Sequence, residues 1–199
     1  MTLITLPAGF DFVAEDWDFD VPGQVNRSKF TSRRKFVGLP GAEAWSCTLT
    51  VESIANEIDE RLWRAFIVKC KGQENTFYVP ANCQSPPSGA TVGAGSTNGY
   101  TLPLTGMTPS TTILHAGEFM TVPLPSGHKR LVCLTADLVA NGSGIATAVF
   151  GPALNEVPAF GAAVEIANPY CPMTLKARSN GWKKANGVSQ FMIDAEEAL

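Results

Sequence analysis

One stretch, residues 48–80, constrains the fold more than any other, because its pattern of apolar residues changes period twice. Residues that favour β-strands lead in and out of it, and between them apolar residues recur at helical spacing. We therefore predict one helix over residues 53–68. Its predicted core-facing residues are Ile54, Ile58, Leu62, Ala65 and Phe66. Ser53 or Glu52 is expected at its start, and Gly72 suits its exit.

The other regular patterns are typical of β-strands. Alternating residues predict strands at 44–51 and 76–79 around the helix, and at 173–178 and 188–193 near the C-terminus. We therefore predict a mainly β fold with one flanking α-helix. Because the C-terminal strands share the charged composition of the N-terminal region, we expect them to return to the same sheet.

The middle of the chain is almost without charge, since only five residues between Asn75 and Val164 are charged. A loop rich in Pro, Gly and Ser is expected at 84–99, and glycine-containing turns separate the short apolar segments that follow. Five short strands are predicted there, at 100–104, 112–114, 119–124, 129–139 and 145–150. We therefore expect a small, OB-like β-barrel at 84–160, inserted into a β domain made of 1–83 plus 161–199.

Charge is segregated near the N-terminus, where five acidic residues are followed by five basic ones. The acidic set is Asp11, Glu15, Asp16, Asp18 and Asp20, and the basic set is Arg27, Lys29, Arg33, Arg34 and Lys35. Three interpretations stay open. The two segments pair as a hairpin within one chain, they meet across a subunit interface, or the basic segment binds phosphate.

Composition narrows the class of protein. Charged residues make up 17% of the chain and the formal net charge is −3, so there is no overall basic surface for nucleic acid. The start of the chain lacks the pattern of a signal peptide, and no apolar span is long enough for membrane insertion. Five cysteines without a CxxC pair are expected to be reduced and buried.

No combination of residues predicts catalysis or the binding of a cofactor. The two histidines, His115 and His128, lie next to turns and are expected to face solvent, and with Cys133 they lack the spacing of a zinc site. There is no nucleophilic-serine motif, and the glycine-rich residues 93–95 precede no predicted helix that would bind phosphate. We therefore predict no enzymatic activity, no cofactor and no metal.

Short motifs spread along the chain occur in a characteristic order. They are Phe30-Thr31-Ser32, Trp45, the predicted helix, residues 71–77 (KGQENTF), Pro80, Ala116-Gly117-Glu118, residues 137–144, Gly151-Pro152 and residues 191–198. Together they resemble the minor tail and distal tail proteins of long-tailed (siphovirus-like) bacteriophages, over nearly the whole chain. The resemblance implies a tail-tube-like β-sandwich whose copies form a hexameric ring. The ring would join the tail tube to the distal hub and let DNA pass.

The resemblance also implies partners and a location. The partners would be the tail tube protein and the hub or tape-measure protein, and the location the virion tail tip after synthesis in the host cytoplasm. In such a ring we expect acidic side chains to face the channel and repel the DNA backbone. This hypothesis adds Glu57, Asp59 and Glu60 to the acidic set. An alternative function is a carbohydrate-binding β module on a phage fibre or capsid, with Tyr100 and Phe119 as its surface.

Overall fold

The structure of the protein is a computed structural model, and it describes residues 1–8, 12–39 and 41–198. The fold is mainly β, with 45% of residues in strands and 7% in one helix, as the sequence predicts. The chain divides into two compact units. The first comprises Met1–Phe19, Trp45–Val79 and Cys171–Leu199, and the second comprises Asp20–Ala44 and Pro80–Tyr170.

The helix α1 spans Glu57–Cys70. The strands of the described residues are, in chain order, β1 (Leu3–Ile4), β2 (Phe12–Asp20), β3 (Gly23–Arg27), β4 (Arg34–Gly38), β5 (Ala44–Val51), β6 (Thr76–Pro80), β7 (Ala90–Val92), β8 (Thr101–Thr105), β9 (Thr112–Leu114), β10 (Phe119–Pro123), β11 (Lys129–Leu134), β12 (Leu138–Val139), β13 (Ala146–Gly151), β14 (Ala163–Val164), β15 (Tyr170–Leu175), β16 (Trp182–Ala185) and β17 (Val188–Glu197).

The first unit is built on a seven-stranded sheet. Its main order is β1-β6-β15-β17-β5-β2, and β16 pairs with β17 outside this order. β17 runs antiparallel to β5, with Ile193 opposite Leu49. The C-terminal strands therefore return to the sheet of β5 and β6, as their composition predicts. Every second residue of β5, from Trp45 to Val51, is buried, which places the core on one face of this strand.

The helix starts about one turn later than predicted. Ile54 stays extended because its backbone exchanges hydrogen bonds with Ser189, at 2.9 and 2.8 Å. Asn56 is then the N-cap, and its side-chain oxygen accepts a hydrogen bond from the Ile58 N–H at 3.0 Å. The helix ends at Cys70, and Lys71 rather than Gly72 forms the left-handed cap. The predicted bounds, 53–68, are therefore wrong at both ends.

The buried face of α1 also differs from the prediction. The buried residues of the helix are Glu60, Trp63, Phe66, Ile67 and Cys70. Ile58 and Leu62 are instead 66% and 48% exposed, and Ala65 is exposed. Trp63 is fully buried, and its ring centroid lies 6.0 Å from that of Phe191 on β17. Because this large ring occupies the space over the sheet, the helix turns Ile58 and Leu62 towards solvent.

The second unit contains a nearly closed barrel of six strands in the order β10-β11-β13-β8-β7-β14. Two backbone hydrogen bonds between Thr121 and Glu165, at 2.8 and 3.0 Å, join the first strand to the end of the last. Apolar residues such as Leu104 and Met120 fill its core. The sequence predicts β8, β10, β11 and β13 but misses β7 and β14, which have only three and two residues.

Two features of the second unit differ from the predicted insertion. The predicted strand 129–139 is divided into β11 and β12, and β12 pairs with β9 in a separate two-stranded sheet. The unit also includes residues 20–44, whereas the prediction placed the insertion at 84–160. Glu43 accounts for part of this difference, because its carboxylate accepts hydrogen bonds from the Tyr100 hydroxyl at 2.5 Å and the Ala153 N–H at 2.9 Å.

Matched substitutions on α1 test which face of the helix is buried. Phe66→Ala should lower the free energy of unfolding by about 3–5 kcal/mol, because Phe66 is 2% exposed. Leu62→Ala should cost less than about 1 kcal/mol, since much of that side chain already contacts solvent. Urea unfolding followed by tryptophan fluorescence reports on this unit, which contains all four tryptophans. Equal losses in the two variants would contradict the described burial.

Candidate functional site

The predicted acidic residues lie on the strand at one edge of the first sheet. β2 pairs with β5 on one side, and no described strand pairs with its other side. Glu15, Asp16, Asp18 and Asp20 are exposed along this strand. None of these four carboxylates forms an ion pair or hydrogen bond with a described residue. Asp11 lies outside the described residues.

Aromatic side chains hold β2 against the sheet despite its exposure. The ring centroids of Trp17 and Phe19 lie 6.2 and 5.0 Å from that of Trp45 on β5. The Phe12 ring centroid lies 6.3 Å from that of Trp63 on α1. Such edge and tilted contacts are favourable geometries for aromatic pairs. The strand is therefore fixed in place while its carboxylates point into solvent.

A polar cleft of about 280 Å³ lies beside β2 on the same sheet. Asp18, Asp194 and Lys176 are among the residues that line it. The Thr48 hydroxyl donates to the Asp194 carboxylate at 2.9 Å. The pKa of Cys47 is raised to about 12, first by burial and then by the nearby carboxylates of β2. Two carboxylates and one ammonium group therefore line this cleft.

The predicted basic residues lie on a separate hairpin. β3 and β4 pair antiparallel with each other and with no other described strand. Among the described residues the acidic and basic segments therefore do not pair as a hairpin within one chain, and that interpretation of the sequence is wrong. Arg27, Lys29, Arg33, Arg34 and Lys35 are all exposed. Their side chains form no ion pair or hydrogen bond with the described residues.

Two arginines lie directly opposite each other on this hairpin. The register pairs Arg27 with Arg34 and Val25 with Phe36, and all four side chains share a face. Val25 and Phe36 are 47% and 51% exposed. Like charges directly opposite each other are destabilising, and an isolated two-stranded hairpin is at best marginally stable in water. The hairpin therefore leaves two like charges and two apolar side chains exposed on one face.

Glu60, which the channel hypothesis adds to the acidic set, is buried. One carboxylate oxygen lies 2.8 Å from Lys184 Nζ and the other lies 3.3 Å from Arg64 Nη2. The hydrogen bond from Lys184 lowers the pKa of Glu60. Glu60 therefore links α1 to β16 rather than facing a channel. Glu57 is exposed and pairs with Arg61 at 2.8 Å.

The two histidines considered for a zinc site differ in their exposure. His115 is exposed, with Nδ1 3.6 Å from Asp137 Oδ1, whereas His128 is half-buried rather than solvent-facing. No group of three or more His, Cys, Asp or Glu side chains among the described residues could hold a metal ion. All five cysteines are free thiols, of which three are buried. Cys83 is exposed, against expectation.

A second cleft, of about 480 Å³, lies in the second unit around Tyr100. Its lining includes Gly41, Asn98, Gly99, Tyr100, Leu154 and Asn155. Tyr100 is 44% exposed, and the hydrogen bond from its hydroxyl to Glu43 raises the pKa of Tyr100. Phe119, the other aromatic residue of the predicted carbohydrate-binding surface, does not line this cleft.

Two buried charged residues support this cleft from below. Glu43 is 6% exposed and Arg130 is fully buried. Arg130 donates from Nη2 to the Glu43 carbonyl oxygen at 2.5 Å and from Nε to the Ala153 carbonyl oxygen at 3.3 Å. Neither residue was predicted from the sequence to belong to a site. A charged residue in a mostly neutral stretch was the sequence feature that could have identified them. Such a residue is costly to bury unless it is hydrogen-bonded.

Comparisons with known proteins assign no family to the chain. No family model matches it, and no curated protein matches it significantly. Among the described residues, no helix combines the length and apolarity needed to span a membrane. The function is therefore inferred from the chain's own residues.

The buried Glu60 should make stability depend on pH. Its folded pKa lies below the ordinary value of 4.5, so its contribution is complete above pH 4.5 and is lost as the pH falls through the lowered pKa. Glu60→Gln should lower the melting temperature at neutral pH more than the exposed control Glu57→Gln does. The gap between wild type and Glu60→Gln should narrow in acid. A gap that stays constant below pH 4.5 would contradict this assignment.

Proposed function

We propose that this chain is a structural subunit of the tail tip of a long-tailed bacteriophage. Copies form a hexameric ring that joins the tail tube to the distal hub and leaves a channel for DNA. The observation that carries this proposal is the presence of two exposed surfaces of opposite charge, the acidic edge strand β2 and the basic hairpin β3–β4. The order of short motifs along the chain supports the phage tail class.

Each of these two surfaces would supply charges opposite to those of the other. A long strand edge is a site where another chain adds backbone hydrogen bonds. A hairpin from a neighbouring copy would bring Arg27 and Arg34 close to the carboxylates of β2, and the repulsion between the two arginines would be offset by attraction across the interface. The same contact would cover Val25 and Phe36, which are otherwise exposed.

Two different surfaces on one chain permit a head-to-tail contact between copies. Such a contact closes into a ring when the rotation between neighbours allows it, and otherwise continues as a filament. Pairing of β2 with β2 from another copy is disfavoured, because it would place carboxylates against carboxylates. Charge therefore favours the hairpin of one copy on the edge strand of the next.

The exposed carboxylates on the first sheet suit the wall of a channel for DNA. Carboxylates such as Asp18 and Asp194 would repel phosphates, so that DNA passes without binding to the wall. In this proposal the ring contacts the tail tube protein on one side and the hub or tape-measure protein on the other. The chain is made in the host cytoplasm and ends in the virion, at the tail tip.

Charge reversal tests the proposed contact. Arg27→Glu with Arg34→Glu places two carboxylates at the opposed arginine positions of the hairpin, and Asp16→Lys with Asp18→Lys places two lysines on the edge strand. Each double variant alone should fail to assemble, because its reversed residues would meet like charges on the neighbouring copy. An equal mixture should assemble again, since the reversed residues of the hairpin in one variant would meet the reversed residues of the edge strand in the other. Size-exclusion chromatography with light scattering measures the mass of each species.

A matched variant controls for a change in net charge. Arg178→Glu with Lys183→Glu reverses two exposed basic residues outside both surfaces, and it should assemble as the wild type does. Circular dichroism checks that every variant is folded. A monomeric or dimeric wild type would contradict the ring, as would double variants that assemble normally or a mixture that does not recover.

A further inference from the structure

We infer that the cleft around Tyr100 binds a neutral saccharide. This inference concerns the second unit alone and does not depend on ring formation. Three features carry it: two amide side chains without internal partners, an aromatic ring held in place by its hydroxyl, and a backbone fixed from below by buried charged groups. Each feature also narrows the chemistry of the ligand.

The two amides belong to Asn98 and Asn155. Both residues are exposed and line the cleft, and neither side chain forms a hydrogen bond with a described residue. An amide offers both donor hydrogens and an acceptor oxygen. A sugar hydroxyl is likewise donor and acceptor, so one amide can bind two neighbouring hydroxyls. The pair therefore suits a ligand with several hydroxyl groups.

The Tyr100 ring provides the apolar part of the site. Its hydroxyl is engaged, because it donates to the Glu43 carboxylate at 2.5 Å. This hydrogen bond fixes the ring while 44% of the residue stays exposed. The exposed aromatic surface is suited to the C–H face of a sugar ring, and tyrosine buries this area with little loss of conformational freedom.

The backbone that lines the cleft is held on both sides of Ala153. The Ala153 N–H donates to the Glu43 carboxylate at 2.9 Å, and the Ala153 carbonyl accepts from Arg130 at 3.3 Å. Next in the chain, the Leu154 N–H donates to the Gly99 carbonyl at 2.8 Å. The buried Glu43 and Arg130 thereby fix the backbone of Ala153, two residues before the exposed Asn155. A preorganised site loses less entropy when a ligand binds.

Gly41 completes this arrangement. It has a φ of +81°, and a Cβ atom on it would lie 2.9 Å from Asn155 Oδ1. Glycine therefore allows the backbone to approach the Asn155 amide closely.

The lining also excludes other ligands. None of the described lining residues is charged, because the Glu43 carboxylate is buried below the cleft, so a charged ligand would find no counter-ion there. The exposed amides favour a hydroxylated ligand over a hydrocarbon. The volume of about 480 Å³ falls within the roughly 300–1,000 Å³ of ligand sites.

Saturation-transfer NMR on the full chain tests the inference. The probes are the methyl glycosides of glucose, galactose, N-acetylglucosamine and rhamnose, at millimolar concentrations. At least one of them should bind, and Asn98→Ala and Asn155→Ala should each weaken its binding by about tenfold, as expected for the loss of one or two hydrogen bonds. Asn168→Ala is the matched control, because it removes an exposed amide of the same unit outside the cleft.

Two results would overturn the inference. One is that none of the four glycosides binds. The other is that Asn98→Ala and Asn155→Ala bind as tightly as the wild type or the Asn168→Ala control. Both cleft residues are exposed, so these variants should keep the fold, and circular dichroism verifies this. The mass of the assembled protein is measured separately, so failure here is distinguishable from failure of the ring proposal.

Discussion

A strand at the edge of a sheet presents a row of backbone N–H and C=O groups that the sheet itself does not pair. The two units of this chain deal with this constraint differently. In the second unit the edges meet, because Thr121 and Glu165 exchange backbone hydrogen bonds and nearly close the barrel. In the first unit the sheet stays open. One edge is the two-residue strand β1, and the other is the nine-residue strand β2.

The open edge gives a physical reason for the segregated charges. Like charges along β2 disfavour pairing between the edges of two copies, and charged edge residues are a common protection of open sheets against aggregation. They leave the edge accessible to a basic strand, and the basic residues 27–35 of the same chain lie on a hairpin with exposed apolar side chains. A partner strand is less important for the barrel, because its sheet is nearly closed and its core is filled.

Local patterns in the sequence predict much of this fold, and long-range contacts determine the rest. The single helix and the strand β5 follow from periodicity within short windows. The start of the helix depends on Ser189, and its buried face depends on Trp63 packing near Phe191, so neither was predicted correctly. β7 and β14 are too short to show alternation. The segregated charges are visible in the sequence, but the register that opposes Arg27 and Arg34 is not.

The supporting residues of the Tyr100 cleft show the same limit. Glu43 contacts Tyr100 and Ala153, which are far from it along the chain, so no local pattern identifies it. From the sequence, Tyr100 and Phe119 of the neutral region were predicted to form one carbohydrate-binding surface. The structure places only Tyr100 at the cleft. Composition therefore indicates which region of the chain is neutral, whereas long-range contacts determine which of its residues line the cleft.

The most direct test of the central claim is carbodiimide cross-linking of an equal mixture of isotope-labelled and unlabelled full-length chain. This reagent joins lysines to carboxylates that lie in contact. If the hairpin of one copy lies on the edge strand of the next, Lys29 or Lys35 should be joined to Glu15, Asp16 or Asp18 in peptide pairs that combine labelled and unlabelled chains. The claim would be contradicted if these lysines were joined only within a single chain, or only to carboxylates outside β2.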